Sequence, residues 1–199
     1  NGISNLSADF AIQSDQDAPA GHLDIGLIKQ NLGQVSLSSV NNNYRGGTQI
    51  NGGILSISSD VLGNPDGGVS FNGGTLEAIS TFSSARTITL TGAGTVNVDP
   101  SFTLTLSGAI TGSGSLTKSN AGTLTLTGAN NYTGGTTVSA GILQGNTTSL
   151  QGNILNDASV VFDQVTTGTY AGVMSGTGSL TKQNTGALTF TGANTYTGG

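Results

Sequence analysis

Cysteine and tryptophan are absent from this chain, histidine and methionine occur once each, and proline occurs three times. Without cysteine there can be no disulfide, no thiol nucleophile and no thiolate metal ligand. His22 is the single histidine, so neither a histidine metal cluster nor a Ser-His-Asp triad can be assembled. Charged residues make up only 8% of the 199 residues, against about 25% in an ordinary soluble domain. Five basic side chains against ten acidic ones give a net charge of −5. That excludes the basic footprint nucleic acid requires and disfavours anionic membrane surfaces. No run of about 18 apolar residues occurs, so no membrane-crossing helix is expected. The opening Asn1-Gly2-Ile3-Ser4 lacks both the basic and the apolar regions of a signal peptide. Aromatics at 5% cannot furnish a core of large rings, yet a mean hydropathy of +0.01 argues against a disordered polyelectrolyte.

What is abundant is glycine, 33 residues of it, and its setting recurs. Gly112-Ser113-Gly114-Ser115-Leu116-Thr117-Lys118 returns 64 residues later as Gly176-Thr177-Gly178-Ser179-Leu180-Thr181-Lys182. Gly128-Ala129-Asn130-Asn131-Tyr132-Thr133-Gly134-Gly135 returns at the same offset as Gly192 to Gly199. A divergent earlier copy contains Leu27-Ile28-Lys29-Gln30-Asn31 and, 88 residues before its counterpart, Asn43-Tyr44-Arg45-Gly46-Gly47-Thr48. A shorter step of about 20 residues lies beneath these copies. Its equivalent apolar positions are read as Leu6, Leu27, Leu55, Leu76, Val96, Leu116, Leu143, Val160 and Leu180. On this reading the longer offsets are whole numbers of steps, three for the later pair and four for the earlier.

Within each step the period is two. Thr103-Leu104-Thr105-Leu106 and Thr123-Leu124-Thr125-Leu126-Thr127 alternate a β-branched polar residue with an aliphatic one, the pattern of a half-buried strand. Gly pairs and Asn-Gly punctuate these strands. Short strands at a fixed step that stack on their own equivalents indicate an all-β parallel β-helix, with about nine coils of roughly 20–28 residues. The organisation expected is an N-terminal coil or irregular segment over 1–25, then β-helix over 26–199. The chain stops within the motif Tyr196-Thr197-Gly198-Gly199, and it is read as a fragment of a longer polypeptide.

The stretch Gly112 to Gly145 combines Gly-x-Gly-Ser-Leu-Thr-Lys, Asn120-x-Gly-Thr-Leu-Thr-Leu-Thr-Gly, Asn131-Tyr132-Thr133-Gly134-Gly135-Thr136 and Gly141-Ile142-Leu143. It resembles the passenger-associated transport repeat of bacterial autotransporters. Copies near 26–56, 112–145 and 176–199 carry the resemblance, although the first replaces the leading Gly-x-Gly by Asp24-Ile25-Gly26 and has an extra Asn in Asn41-Asn42-Asn43. The resemblance implies a right-handed parallel β-helix exported to the surface of a Gram-negative bacterium. It also implies a signal peptide and a C-terminal outer-membrane β-barrel outside this stretch, and a repeat that aids passenger secretion and folding.

Residues that could carry chemistry are few. Asp9, Asp15, Asp17 and Asp24 form the densest carboxylate group. Lacking EF-hand or Gly-Gly-x-Gly-x-Asp spacing, they read as a polar cap rather than a Ca²⁺ loop. His22 reads as a solvated turn residue. Asn64-Pro65-Asp66-Gly67-Gly68 is a turn signature without the Lys-Ser/Thr of a phosphate loop. Lys29, Lys118 and Lys182 read as isolated solubilising charges at coil corners. Asn31, Asn120 and Asn184, two residues further on, read as corner or buried stacks, and Tyr44, Tyr132 and Tyr196 as rings covering the coil's apolar corner. Arg45 and Arg86 lie too far apart for the charged groove of a polysaccharide-cleaving β-helix. No catalytic, metal or cofactor residue is expected. The Thr pairs 87/89, 103/105 and 123/125 raise an ice-binding face, against which the uneven step counts. The expected function is a structural and adhesive stalk, not an enzyme. Its expected partners are host or sister-cell surfaces, glycans or other copies, with end-to-end or edge association through exposed strand edges. Leu55, Leu76, Val96, Leu116, Leu143 and Leu180 are expected to point inward in a single stack.

Overall fold

A computed structural model describes residues 10–13, 26–39 and 42–199; side chains are described from residue 26. Leu6, His22 and the Asp9–Asp24 group therefore lie outside the described residues or side chains. Among the described residues every regular element is a strand and none is a helix.

β1 (Phe10–Gln13) and β2 (Gly26–Lys29) open the first face and β3 (Gln34–Leu37) the second; β4 (Thr48–Ile50) returns to the first and β5 (Ile54–Ile57) to the second. β6 (Val69–Phe71) and β7 (Thr75–Ala78) repeat that alternation before β8 (Phe82–Ser84) founds a third face. Three faces are then visited in order by β9 (Ile88–Leu90), β10 (Gly94–Val98) and β11 (Thr103–Leu106), and again by β12 (Ile110–Gly112), β13 (Leu116–Ser119) and β14 (Thr123–Leu126). β15 (Thr136–Val138), β16 (Ile142–Gly145), β17 (Ile154–Asn156) and β18 (Ser159–Asp163) extend the second and third faces. β19 (Gly168–Tyr170), β20 (Met174–Ser175), β21 (Ser179–Gln183) and β22 (Leu188–Phe190) follow, β20 and β21 extending the second and third faces and β19 and β22 forming a separate ladder.

Sheet partners are parallel throughout, with one exception: β1 pairs antiparallel to β2, so the first face does not begin on a bare parallel edge. The second face has eight strands, which makes about eight turns, close to the nine expected. The architecture is the expected parallel β-solenoid.

The side-chain columns correct the proposed register. Val35, Leu55, Leu76 and Val96 do form one inward column, but the next member is Lys118, not Leu116. Leu116 stands opposite Gly94 and Thr136, two residues earlier on the same inward side. Leu143, Val160 and Leu180 belong to the third face, above Leu104 and Leu124. Leu27 belongs to the first face, opposite Thr48. The assumed 27-residue step from Leu116 to Leu143 thus joins two faces. True steps run from 17 residues, Ile142 to Ser159, to 22, Gly94 to Leu116. Alternation hid this, because every face offers an aliphatic residue at every second position.

A consequence follows for the repeats. Lys29 stacks on Ile50 in the first face, Lys118 between Val96 and Val138 in the second, and Lys182 on Phe162 in the third. Each copy is displaced from the last by whole turns plus one face, so the offsets of 64 and 88 residues are not whole numbers of turns.

The core is a thin apolar axis. Ile50, Leu55, Phe71, Leu90, Leu104, Ile110, Leu124 and Phe162 are wholly buried, each stacked on its neighbours about 4.8 Å away. Near the far end Phe162, Tyr170 and Phe190 pack edge to face with centroids 5.3–5.7 Å apart, a favourable quadrupole arrangement.

Candidate functional site

The repeat's polar residues converge at the coil corners. Asn31, Asn120 and Asn184 adopt left-handed backbone, with φ of 60°, 62° and 64°. Asparagine tolerates this conformation better than other residues with a Cβ. Lys29 and Lys118, two residues earlier, are wholly buried, and this corrects their reading as solubilising charges. The aliphatic stem occupies an inward column, and the ammonium turns back into the corner. Lys29 Nζ donates to the carbonyls of Gln30 at 2.6 Å and Asn31 at 3.1 Å. Lys118 Nζ donates to Ser119 at 2.8 Å and Asn120 at 2.6 Å. Lys182 Nζ donates to the equivalent carbonyls of Gln183 and Asn184, but it is exposed. An ammonium has three donors and no acceptor, so carbonyls converging at a tight corner suit it. Burial pulls Lys118 down to about 8.

The next turn closes the corner with a glycine. Gly53 has φ of 61° and Gly141 of 70°. A Cβ on Gly53 would come within 2.3 Å of the carbonyl oxygens of Asn31 and Gly33 and 2.5 Å of Lys29 Nζ. A Cβ on Gly141 would come within 2.4 Å of those of Asn120 and Gly122 and 2.8 Å of Lys118 Nζ. The preceding carbonyl, Ala140, adds a third acceptor for Lys118 at 3.2 Å.

The asparagines before the tyrosines replace missing ladder bonds. Asn130 Oδ1 accepts from the Ile110 amide at 2.8 Å, and its Nδ2 donates to the Ser149 carbonyl at 2.7 Å. One side chain thus ties three successive turns. Asn194 accepts from Met174 in the same way at 2.8 Å. Tyr132 is buried as expected, with its hydroxyl 2.6 Å from Thr136 Oγ1; burial raises its pKa, and that hydrogen bond works against the rise. Tyr44 makes the same bond to Thr48 at 2.9 Å. Tyr44 and Tyr196 are half-buried against the core.

Arg86, set aside on the sequence because it lies apart from Arg45, holds a structural centre that its spacing did not reveal. It is buried. Its Nε donates to Asp60 at 2.6 Å, and its guanidinium also donates to the carbonyls of Asn64, Gly67 and Gly63 at 2.5–2.8 Å. The Ser58–Gly68 loop crosses where the third face has no strand, and Arg86 holds it closed. Its one legible signal was an arginine within a nearly charge-free stretch, following Asn64-Pro65-Asp66-Gly67-Gly68. Arg45, by contrast, is exposed.

Outside, charge is sparse and absent from the middle of the rod. Thr75, Thr95, Thr117 and Thr137 form one outward ladder on the second face. Thr103 and Thr105 pair with Thr123 and Thr125 on the third face. Thr89 lies on the first face, opposite Thr111. The three Thr pairs therefore do not share one surface, and two rungs are too few for an ice lattice match. Between Asp99 and Asp157 the only charged residue is the buried Lys118. Among the described residues no three metal-ligating side chains come together.

A family model for the passenger-associated transport repeat matches residues 27–57, 116–144 and 180–199. These are the stretches from which the resemblance was read. The chain is 49% identical over 161 residues to an adhesin autotransporter, BmaC, of Brucella suis biovar 1 (strain 1330). That alignment covers 78% of this chain and 5% of the relative, so the chain spans a small part of the protein it matches. No solved structure matches it.

Proposed function

Because this chain is a stretch of an autotransporter passenger domain, at the surface of a Gram-negative bacterium, and carries the passenger-associated transport repeat, we propose that it serves as a non-catalytic adhesive stalk whose repeats assist passenger folding and secretion. The observation that carries this reading is the direction in which the repeat's side chains point. The repeat's Lys29, Lys118, Asn130 and Tyr132 are engaged within or between turns. The outside is left to hydroxyl and amide ladders, which suit contact over area rather than chemistry at a point. Glycan cleavage needs two carboxylates roughly 5–9.5 Å apart in a groove. Glu77, Asp99 and Asp163 are instead bonded to neighbouring Asn or Gln side chains along the rod.

Contact with host or sister-cell surfaces, with neutral glycans or with other copies fits such an exterior. The β-barrel through which such a passenger is exported belongs to the same proposal. The test is a surface-display fusion to an autotransporter barrel, with and without residues 116–144. Reduced passenger at the surface and reduced cell attachment in the deleted form support the reading. Undiminished display, or turnover of pectin, dextran or host-type glycans by the chain, contradicts it.

A further inference from the structure

The three Lys-x-Asn corners are chemically alike and differ in one respect. At Lys29 and Lys118 a later turn seats a left-handed glycine on the corner, Gly53 and Gly141. Lys182 reaches the same two carbonyls, and no turn of the described residues lies over it, so its ammonium is exposed here. We propose that the Lys-x-Asn corner is an acceptor site for the carbonyl and left-handed glycine of the next solenoid turn stacked in cis, the Lys182 corner included.

The fit is specific at three levels. The ammonium has a spare donor, which Ala140 takes up at Lys118. The corner carbonyls and Nζ leave no room for a Cβ, so glycine alone seats. The left-handed φ directs the chain into the following strand, Ile54–Ile57 or Ile142–Gly145, whose register is thereby fixed. In a ladder of near-identical Thr-Leu strands, a one-residue slip would turn every side chain to the wrong face. A charged peg accepting only one residue type prevents that slip. This rests on the reading of the repeat as a folding aid and names the device by which it acts, a latch joining each repeat to the turn above it.

The sequence supplies the occupant for a test. Gly198-Gly199 corresponds to Gly134-Gly135, so a copy of residues 136–163 appended after Gly199 places a glycine equivalent to Gly141 above Lys182. The readout is site-resolved lysine acetylation of the folded chain by mass spectrometry. In the parent, Lys29 and Lys118 are expected to react at least about tenfold more slowly than Lys182, the slowing that an opening cost of about 1.4 kcal/mol produces. The extension should bring Lys182 down to the rate of Lys118. The same extension with its seated glycine changed to Ala should leave Lys182 reactive. Within the parent, Gly141→Ala should unmask Lys118 and not Lys29. Gly152→Ala is the control, since Gly152 also has positive φ, 66°, but a Cβ there meets nothing; it should unmask neither. Equal reactivity of Lys118 and Lys182 in the parent overturns the proposal. So does a folded extension that leaves Lys182 as reactive as before. These outcomes are independent of surface display, so a failed latch and a failed secretion role are told apart.

Discussion

The turns before β8 and the turns after β9 are built on the same parallel ladder but close their circumference differently. In the later turns β9, β10 and β11, then β12, β13 and β14, visit three faces in order. Closure there is apolar, with columns such as Leu104, Leu124, Leu143 and Val160. In the earlier turns the third face has no strand among the described residues, and residues 58–68 cross it as a loop. Arg86, donating to Asp60 and to the carbonyls of Gly63, Asn64 and Gly67, does the work of the absent column. A strand satisfies its own backbone by ladder bonds, whereas a loop over the core leaves carbonyls that need a donor from elsewhere. The solenoid therefore tolerates irregular turns wherever one multivalent cation can reach their carbonyls.

That contrast can be broken from either side. Leu116→Asp places an unpaired charge at a wholly enclosed position and should cost several kcal/mol, roughly 3–5. Because the column is continuous, the whole later region should melt together, as seen by circular dichroism. Arg86→Met should cost a comparable amount, about 3–5 kcal/mol, since Asp60 and three carbonyls lose their donor. Its effect should stay local: proteolysis should open Ser58–Gly68 while later strands keep their hydrogen-exchange protection. Uniform loss of protection in both variants would erase the distinction between the two regions.

Smaller changes sharpen it. Tyr132→Phe removes one buried hydrogen bond, to Thr136, and should lower stability by about 1 kcal/mol. Tyr44→Phe, half-exposed in the looped region, should lower it by less; thermal melts rank the two. The pH effect has the opposite sign. Lys118 is held at about 8 in the folded chain, below the 10.5 of a free lysine. The unfolded chain therefore carries more protons between those values. Stability should rise as pH is raised from 8 to 10.5 and be level below 8 as far as this group is concerned. Melts of the parent and of Lys118→Met across that window isolate the effect.

Much of this was legible in the sequence. Thr-Leu alternation and glycine punctuation indicated strands, recurrence indicated a solenoid, and the Asn-Tyr-x-Gly-Gly motif indicated the family. The face each strand occupies was not legible. Leu116 and Leu143 look equivalent in a pattern of period two, because consecutive faces present the same alternation. Nor was the role of the lysines. A lone charge in a neutral chain reads as a solubiliser until the backbone carbonyls around Asn31 and Asn120 are seen to converge on it. Arg86 is the same lesson on a larger scale, since its partners come from a loop some twenty residues away.

The central claim is that successive repeats sit on successive faces, and it depends on what lies beneath β16. The structure sets Gln144 beside Thr125 and Thr137 beside Thr117. Equal-face stacking of the repeats would set Gln144 beside Thr117 instead. All four side chains lie on the outer surface of a chain with no cysteine, so paired cysteine substitutions and a short thiol-to-thiol crosslinker read the register directly. Adjacent strands are about 4.8 Å apart, within the reach of such a reagent. The account predicts rapid crosslinking of Thr125→Cys with Gln144→Cys and of Thr117→Cys with Thr137→Cys, and none of Thr117→Cys with Gln144→Cys. Crosslinking of Thr117→Cys with Gln144→Cys, with Thr125→Cys and Gln144→Cys unreacted, would contradict it.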